Sequence, residues 1–184
     1  MLRFKAALAR AQANVGLIPD EVAQSIIGTC NVELFDAGKT MRESVREGSI
    51  AVPSVKSLRE TVSLFNEEAG AYMYLGASSR DVVNSAMALV THDAMGLIEQ
   101  DVQKAVAVLL ALAELYAAAS MLVRSAMQPT SVTSFGLKCA AWAGPLVRSL
   151  QRLQTAAANA LSLQLGEPVG TLADMRKLDK SLGL

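Results

Sequence analysis

A helical period of apolar residues runs through the middle of the chain and constrains its fold more than any other feature. Apolar side chains recur on one helical face from Val83 to about Ala119, which predicts a helix of about forty residues and roughly 60 Å. Such a rod is stable in water only when other helices cover it. The other stretch of similar length is 132–164, where Gly144 and Pro145 predict a kink. Two helices cannot bury all of this apolar surface against each other. The sequence therefore predicts association with further chains.

The composition favours packed helices. Hydrophobic residues make up 52% of the 184 residues, aromatic residues 4% and charged residues 18%. Small side chains let helices approach closely. Seventeen basic and seventeen acidic residues give a formal net charge of zero, so nucleic acid is not an expected partner. A net charge near zero also gives little protection against self-association.

Shorter helices are predicted before the rod. They cover residues 1–14, about 20–27, 33–47, and a stretch that begins at Pro53. On the first of them, the predicted apolar stripe consists of Leu2, Ala6, Ala9 and Ala13. No alternating run of strand length is evident, so the predicted fold class is all-α. We expect a small N-terminal helical domain over residues 1–75, and long antiparallel helices of an oligomeric bundle over 76–184.

Two segments allow a targeting or membrane interpretation. Residues 1–19 have three basic residues and no acid, as a transit peptide would, but an amphipathic helix explains them equally. Residues 105–123 are apolar except for Glu114, as a membrane span could be. A carboxylate in mid-span is costly, so a buried bundle helix is the favoured interpretation. No membrane partner is therefore expected.

The residues that could carry redox or metal chemistry are few. Cys30 and Cys139 are far apart and lack metal-ligand spacing, which favours two reduced thiols in a cytoplasmic protein. His92, the single histidine, falls inside the long helix beside Asp93, where adjacent side chains diverge. Its expected role is that of a solvated residue. No metal site and no cofactor are predicted.

The segment from Arg124 to Gly136 reads Arg-Ser-Ala-Met-Gln-Pro-Thr-Ser-Val-Thr-Ser-Phe-Gly. It resembles, without a gap, the segment Arg-Thr-His-Leu-Gln-Pro-Ala-Gln-Pro-Thr-Thr-x-Gly of the fumarase/aspartase superfamily. Five other segments resemble family motifs in family order: 1–13, 53–60, 76–83, 135–142 and 170–173. The most similar branch is the 3-carboxy-cis,cis-muconate cycloisomerase family. Members are longer, with further helices and a mobile loop, so we expect a member truncated at both ends.

The resemblance implies a chemistry, but this chain lacks two of the residues that the chemistry uses. Family members carry out anti addition or elimination beside a carboxylate, and the cycloisomerase branch closes a lactone. Ala126 stands at one family histidine position, and Tyr74, in Tyr-Met-Tyr-Leu-Gly, stands at another. No catalytic residue is therefore expected to be intact, because an alanine methyl transfers no proton and a tyrosine has an ordinary pKa near 10.

The substrate-binding residues implied by the resemblance are Ser78, Ser79, Ser125 and Gln128, in two segments that converge in the family. Residues 78–81 also fit a helix start, with Asp81 completing a capping-box pattern. Ser78 and Ser79 could accordingly be helix caps, carboxylate ligands or both. Ser125 and Gln128 could equally form a polar turn.

Two functions remain open at this point. The first is a 3-carboxymuconate cycloisomerase-like lyase or isomerase of aromatic-acid catabolism, weakly active or inactive alone. The second is a non-catalytic helical interaction protein that oligomerises or pairs with a full-length paralogue. The expected partners are copies of the same chain, a tetramer first and a dimer second, and a small carboxylate ligand.

Overall fold

The fold is almost entirely helical, and the computed structural model describes residues 1–167, 169–173 and 175–177. The helices are α1 (Leu2–Asn14), α2 (Asp20–Thr29), a 3-10 turn (Val32–Leu34), α3 (Ala37–Glu47), α4 (Ala51–Phe65), α5 (Glu67–Tyr72), α6 (Ser79–Leu115) and α7 (Phe135–Ala160). Strands β1 (Ser120–Ser125) and β2 (Gln128–Ser134) form an antiparallel hairpin between α6 and α7. The all-α fold class is confirmed.

Two compact units share the chain. The first consists of Met1–Leu89 together with the segment that starts at Ser162, and the second is Val90–Leu161. The first unit is therefore discontinuous in sequence, and the second is one uninterrupted stretch.

The core of the first unit lies between α1, α2, α4 and α5. Its fully buried members include Val22, Ala23, Leu58, Val62 and Ala69. These side chains come from different helices, so their burial fixes the small helices against one another.

The buried face of α1 differs from the predicted stripe. Phe4, Lys5, Ala9 and Gln12 are buried, and of the predicted stripe only Ala9 belongs to this set. Leu2 and Ala13 of the predicted stripe are partly buried and pack against the core, and two polar side chains share the buried face because they find partners inside the unit. Lys5 Nζ donates to Ser54 Oγ at 3.1 Å, and Gln12 Nε2 donates to the Leu75 carbonyl at 2.8 Å. A buried polar group with a hydrogen bond costs far less than an orphan.

The long helix predicted from the apolar period is present as α6. It has 37 residues, so its length is about 55 Å. It ends at Leu115, four residues before the predicted end. Residues 105–123 are thus not one helix, and Glu114 is exposed rather than buried. No helix in the described part of the chain has the length and apolar character that a membrane crossing requires.

The prediction of a chain without strands was wrong for residues 120–134. The two residues at the hairpin turn, Ala126 and Met127, have φ values of 49° and 66°. Turns of this kind are ordinarily marked by Asn-Gly or Asp-Gly, and the chain has neither there. Pro129 lies in β2 opposite Arg124 and further disguises the strand, since proline in a sheet is confined to edges.

The close approach of α7 to the end of α6 depends on Gly136. A Cβ at this position would lie 2.8 Å from Ala117 Cα and would also overlap the Ala113 carbonyl oxygen. Further along, Gln154 on α7 donates to Glu99 on α6. Later residues of α7 thus meet earlier residues of α6, so the two helices run antiparallel, as predicted. α7 continues through Pro145.

The second unit has almost no core of its own. Within Val90–Leu161 the buried residues are Gly136, Cys139 and Ala143, all of them small. Large apolar side chains remain exposed on its helices: Val90, Leu97, Ile98, Val108, Leu110, Leu115, Leu137, Trp142 and Val147. An apolar surface of this extent is expected to associate with other apolar surface.

The strained turn at Ala126 and Met127 generates a stability prediction. A non-glycine residue in the left-handed region costs about 1 kcal/mol or more. The double variant Ala126→Asn/Met127→Gly places the residues that such a turn favours. We expect it to raise the free energy of unfolding by about 1 kcal/mol, measured by chemical denaturation followed by circular dichroism.

The matched control is Ala140→Gly, on the exposed side of α7, which should lower the free energy of unfolding by about 1 kcal/mol. A turn variant that is no more stable than the unmodified chain would contradict the assigned turn.

Candidate functional site

The start of α6 is a hydrogen-bonded capping box, as predicted. Ser78 Oγ accepts from the Asp81 amide at 3.2 Å, and Asp81 Oδ2 accepts from the Ser78 amide at 2.8 Å. The Ser78 hydroxyl also donates to Asp81 Oδ2 at 2.8 Å. The first turn of the helix thus contains its own anion, placed where the helix dipole favours negative charge.

A later segment of the chain binds the same carboxylate. Asp81 Oδ1 accepts from the Gly166 amide at 3.1 Å, and Oδ2 accepts from the Glu167 amide at 3.0 Å. One turn further along α6, Ser85 Oγ donates to the Gln164 carbonyl and accepts from the Gln164 amide. Residues 164–167 therefore form a strap across the first turns of α6.

Hydrogen bonding determines the ionisation of Asp81. The residue is completely buried, and burial by itself raises the pKa of a carboxyl group. The hydrogen bonds from Ser78, Gly166 and Glu167 outweigh burial and hold the pKa of Asp81 below its ordinary value. Asp81 is therefore a carboxylate at neutral pH, and its charge is stabilised by groups of the chain itself.

The two predicted carboxylate-binding serines of this segment are not equivalent. Ser78 is buried, and its hydroxyl proton is used by Asp81. Ser79 is half-buried, and its Oγ accepts from the Tyr74 hydroxyl at 3.0 Å. Because Ser79 acts as an acceptor there, its own proton is left for another acceptor. Of the two serines, Ser79 is the one suited to donate to a ligand.

Tyr74, at the family histidine position, is held in an unusual conformation. Its φ of 77° lies in the left-handed region, which is uncommon for a bulky side chain and marks a site where the surroundings impose the geometry. Burial raises the pKa of Tyr74, and the hydrogen bond with Ser79 offsets only part of this effect. The phenol stays protonated at neutral pH, so it can donate a hydrogen bond but cannot serve as a base.

The tail of the described chain covers the loop that leads from Tyr74 to Ser79. Gly76 in this loop has a φ of 65°, and a Cβ there would lie 2.6 Å from Met175 Cγ. The Met175 amide donates to Glu167 Oε1 at 2.7 Å. Residues 164–167 and Met175 thus border the candidate site of the first unit on one side.

The other predicted binding residues lie at the hairpin turn of the second unit. Ser125 pairs with Gln128 across the turn, and both are exposed. Neither side chain hydrogen-bonds to any residue in the described ranges. Ala126 is also exposed and presents only a methyl group. The structure therefore brings Ser78 together with Ser79, and Ser125 together with Gln128, each pair within its own unit.

Sequence reasoning missed the buried amine of Lys5. Burial lowers the pKa of Lys5 to about 8, and the negative charge of an ionised Cys30 nearby would act in the opposite direction. Lys5 and Tyr74 both line a cavity of about 20 Å³, enough for one water molecule. The available signal was the seven-residue spacing of Lys5 and Gln12, which places both polar residues on one helical face.

The remaining titratable candidates lie outside this arrangement. His92 is solvated, as predicted, but its Nδ1 lies 3.7 Å from Asp93 Oδ1, so the prediction that the two side chains diverge was wrong. Adjacent side chains on an exposed helical surface can bend toward each other through solvent. Cys30 and Cys139 are free thiols. Within residues 1–167, 169–173 and 175–177, no group of three or more His, Cys, Asp or Glu could hold a metal ion.

Comparison with known proteins gives a consistent relationship. A family model described as lyase matches residues 1–178. The 3-carboxy-cis,cis-muconate cycloisomerases of Pseudomonas aeruginosa and Bradyrhizobium diazoefficiens are 37% and 36% identical to the chain, each over 94% of the chain and 38% of the relative. The crystal structure of the 3-carboxy-cis,cis-muconate lactonizing enzyme from Pseudomonas putida matches with a TM-score of 0.92 and 34% identity, over 100% of the chain and 43% of that protein. The chain spans about two fifths of the length of these relatives.

The buried carboxylate at the start of α6 generates a prediction. In Asp81→Asn, one acceptor oxygen becomes an amide that faces donors, so we expect the free energy of unfolding at pH 7 to fall by about 2 kcal/mol. Because the folded-state pKa of Asp81 is lowered, its stabilisation is present above the unfolded-state pKa of about 4 and is lost as the pH falls through the folded-state value. The difference in the free energy of unfolding between the unmodified chain and Asp81→Asn should therefore shrink as the pH falls. The measurement is chemical denaturation at a series of pH values from 7 downward.

Asp101→Asn is the matched control. Asp101 lies on the same helix, is 80% exposed and pairs with Lys104 at 3.3 Å, so its loss should cost less than about 1 kcal/mol. Equal losses in the free energy of unfolding for Asp81→Asn and Asp101→Asn would show that the buried hydrogen bonds of Asp81 stabilise the fold no more than an exposed ion pair does.

Proposed function

The chain belongs to the lyase family of the fumarase/aspartase superfamily, and from this premise we propose that it is a 3-carboxy-cis,cis-muconate cycloisomerase-like protein, weakly active or inactive alone. The observation that carries the proposal is the pair of residues at the family histidine positions. Ala126 has no group that transfers a proton. Tyr74 has a raised pKa and a hydroxyl that donates to Ser79.

Residual binding of a small carboxylate is part of the proposal. Ser79 has a hydroxyl proton available near the start of α6, and Ser125 and Gln128 project from the hairpin turn without partners among the described residues. In the family these two segments serve one substrate. Ser78 contributes indirectly, because its proton is committed to Asp81 and its role is to cap the helix.

A second candidate function is favoured by the surface of the second unit. An interaction protein that associates with copies of itself, or with a full-length paralogue, would cover the exposed apolar side chains of α6 and α7. Leu97 and Leu115 are 65% and 72% exposed, so association would remove a large part of their apolar surface from water. A homotetramer is the first choice and a dimer the second. The two free thiols are consistent with a cytoplasmic setting.

The activity prediction follows from the two family histidine positions. The purified chain should convert 3-carboxy-cis,cis-muconate at least about a hundred-fold more slowly than the Pseudomonas aeruginosa relative, since a general acid or base contributes that much or more. The measurement is the change in ultraviolet absorbance of the substrate. Ala126→His alone should not restore the rate, because Tyr74 remains.

A robust rate for the unmodified chain, abolished by Ser125→Ala, would overturn the assignment of weak activity and would show that Ser125 contacts the substrate.

The association prediction follows from the exposed apolar face. Light scattering at micromolar concentration should give a mass of four chains, or failing that of two. Leu97→Glu should lower this mass, because it places a charge in the proposed contact. The control is Leu64→Glu, at an exposed leucine of α4 in the first unit, which should leave the mass unchanged. A mass of one chain for the unmodified protein would exclude both assemblies.

A further inference from the structure

The charges of the second unit are unevenly distributed along the chain. From Leu115 to Leu161 the sequence contains four cations, Arg124, Lys138, Arg148 and Arg152, and no acid. The net charge of the whole chain is zero, so this stretch is a local excess of positive charge. Such an excess raises the local concentration of anions.

Two of these cations line the same groove. A cavity of about 490 Å³ is lined by Met121, Leu122, Val123, Arg124, Thr133 and Lys138. Its volume is within the range of small-molecule sites. All of its lining belongs to β1, β2 and the beginning of α7, so the groove lies entirely within the second unit.

Neither cation is neutralised by a carboxylate. The Arg124 side chain makes no hydrogen bond or ion pair with any residue that the structure describes. The Lys138 ammonium lies 5.0 Å from the centre of the Trp142 ring, a cation–π contact that leaves its charge in place.

The start of α7 adds to the positive character of the groove without offering free amides. The first turn of α7 contains no acidic residue. The amides of Phe135, Gly136 and Leu137 donate to the Ala119 carbonyl, the Tyr116 carbonyl and Ser134 Oγ respectively. An anion in the groove would therefore be held by side chains, with the helix dipole as a supporting field.

We propose that this groove binds a small organic dianion, with two anionic groups on an apolar skeleton. Arg124 and Lys138 each bind one anionic group, Thr133 offers a hydroxyl, and Met121, Leu122 and Val123 contact the apolar skeleton. Neither Ser125 nor Gln128 lines the groove, so this site differs from the carboxylate site proposed for the hairpin turn.

The single tryptophan makes the site observable. Trp142 is the only indole in the chain, and the Lys138 ammonium lies over it. Titration of the full chain with phthalate should change the Trp142 emission and saturate in the millimolar range. Arg124→Gln and Lys138→Gln should each weaken binding about ten-fold or more, as expected for a charge-assisted hydrogen bond. For Lys138→Gln, calorimetry provides a readout that does not depend on the altered emission.

Two controls separate a local site from general attraction. Arg152→Gln removes the same charge from α7 outside the groove, where Arg152 donates to Ser149, and should leave the affinity unchanged. Ser79→Ala, in the first unit, should also leave the Trp142 response unchanged. The groove is thus tested separately from the proposed function, which concerns Ser79 and the residues at the family histidine positions. Sulfate has the same charge without the apolar skeleton and should bind more weakly.

Several outcomes would overturn the proposal. They are an emission that does not saturate, full affinity in Arg124→Gln and Lys138→Gln, an equal loss in Arg152→Gln, and equal affinity for sulfate.

Discussion

The buried carboxylate of Asp81 is the interaction on which the described arrangement of the first unit depends. An ionised group with no exposed surface is unfavourable unless hydrogen bonds replace its water, and four donors do so here. Two come from Ser78, immediately before α6, and two come from backbone amides of Gly166 and Glu167. A single side chain therefore fixes the start of the longest helix, uses the proton of one predicted ligand and holds the strap beside the candidate site.

The helices could be predicted from sequence because their signals are local. The apolar period of α6 and the Ser78–Asp81 box both lie within neighbouring turns, and both were found in the structure. The hairpin could not be predicted, because Ala126 and Met127 adopt left-handed conformations that their side chains do not favour. The close approach at Gly136, which brings the start of α7 against Ala113 and Ala117, is likewise a tertiary contact that no local pattern in the hairpin sequence encodes.

The candidate site shows the same division between local and distant causes. Resemblance to family motifs identified Ser78, Ser79, Tyr74 and Ala126 as positions of interest. It could not distinguish Ser78 from Ser79, because the difference arises from which oxygen Asp81 and Tyr74 contact. Lys5 was missed for a related reason. Its partner Ser54 lies 49 residues away, and a charged residue near the start of an amphipathic helix is normally solvated.

The division of the first unit into two sequence segments has a consequence for biosynthesis. The amides of Gly166 and Glu167 lie 85 and 86 residues beyond Asp81, and the whole second unit is translated between them. A ribosome that has completed Leu89 has synthesised the sequence of α1–α5. At that point the Ser78 donors of Asp81 exist, but Gly166 and Glu167 have not yet been translated. Closing so long a loop costs entropy that must be offset by contacts formed later. The nascent first unit is therefore incomplete until the strap emerges, and during that interval Asp81 depends on water for its remaining hydrogen bonds.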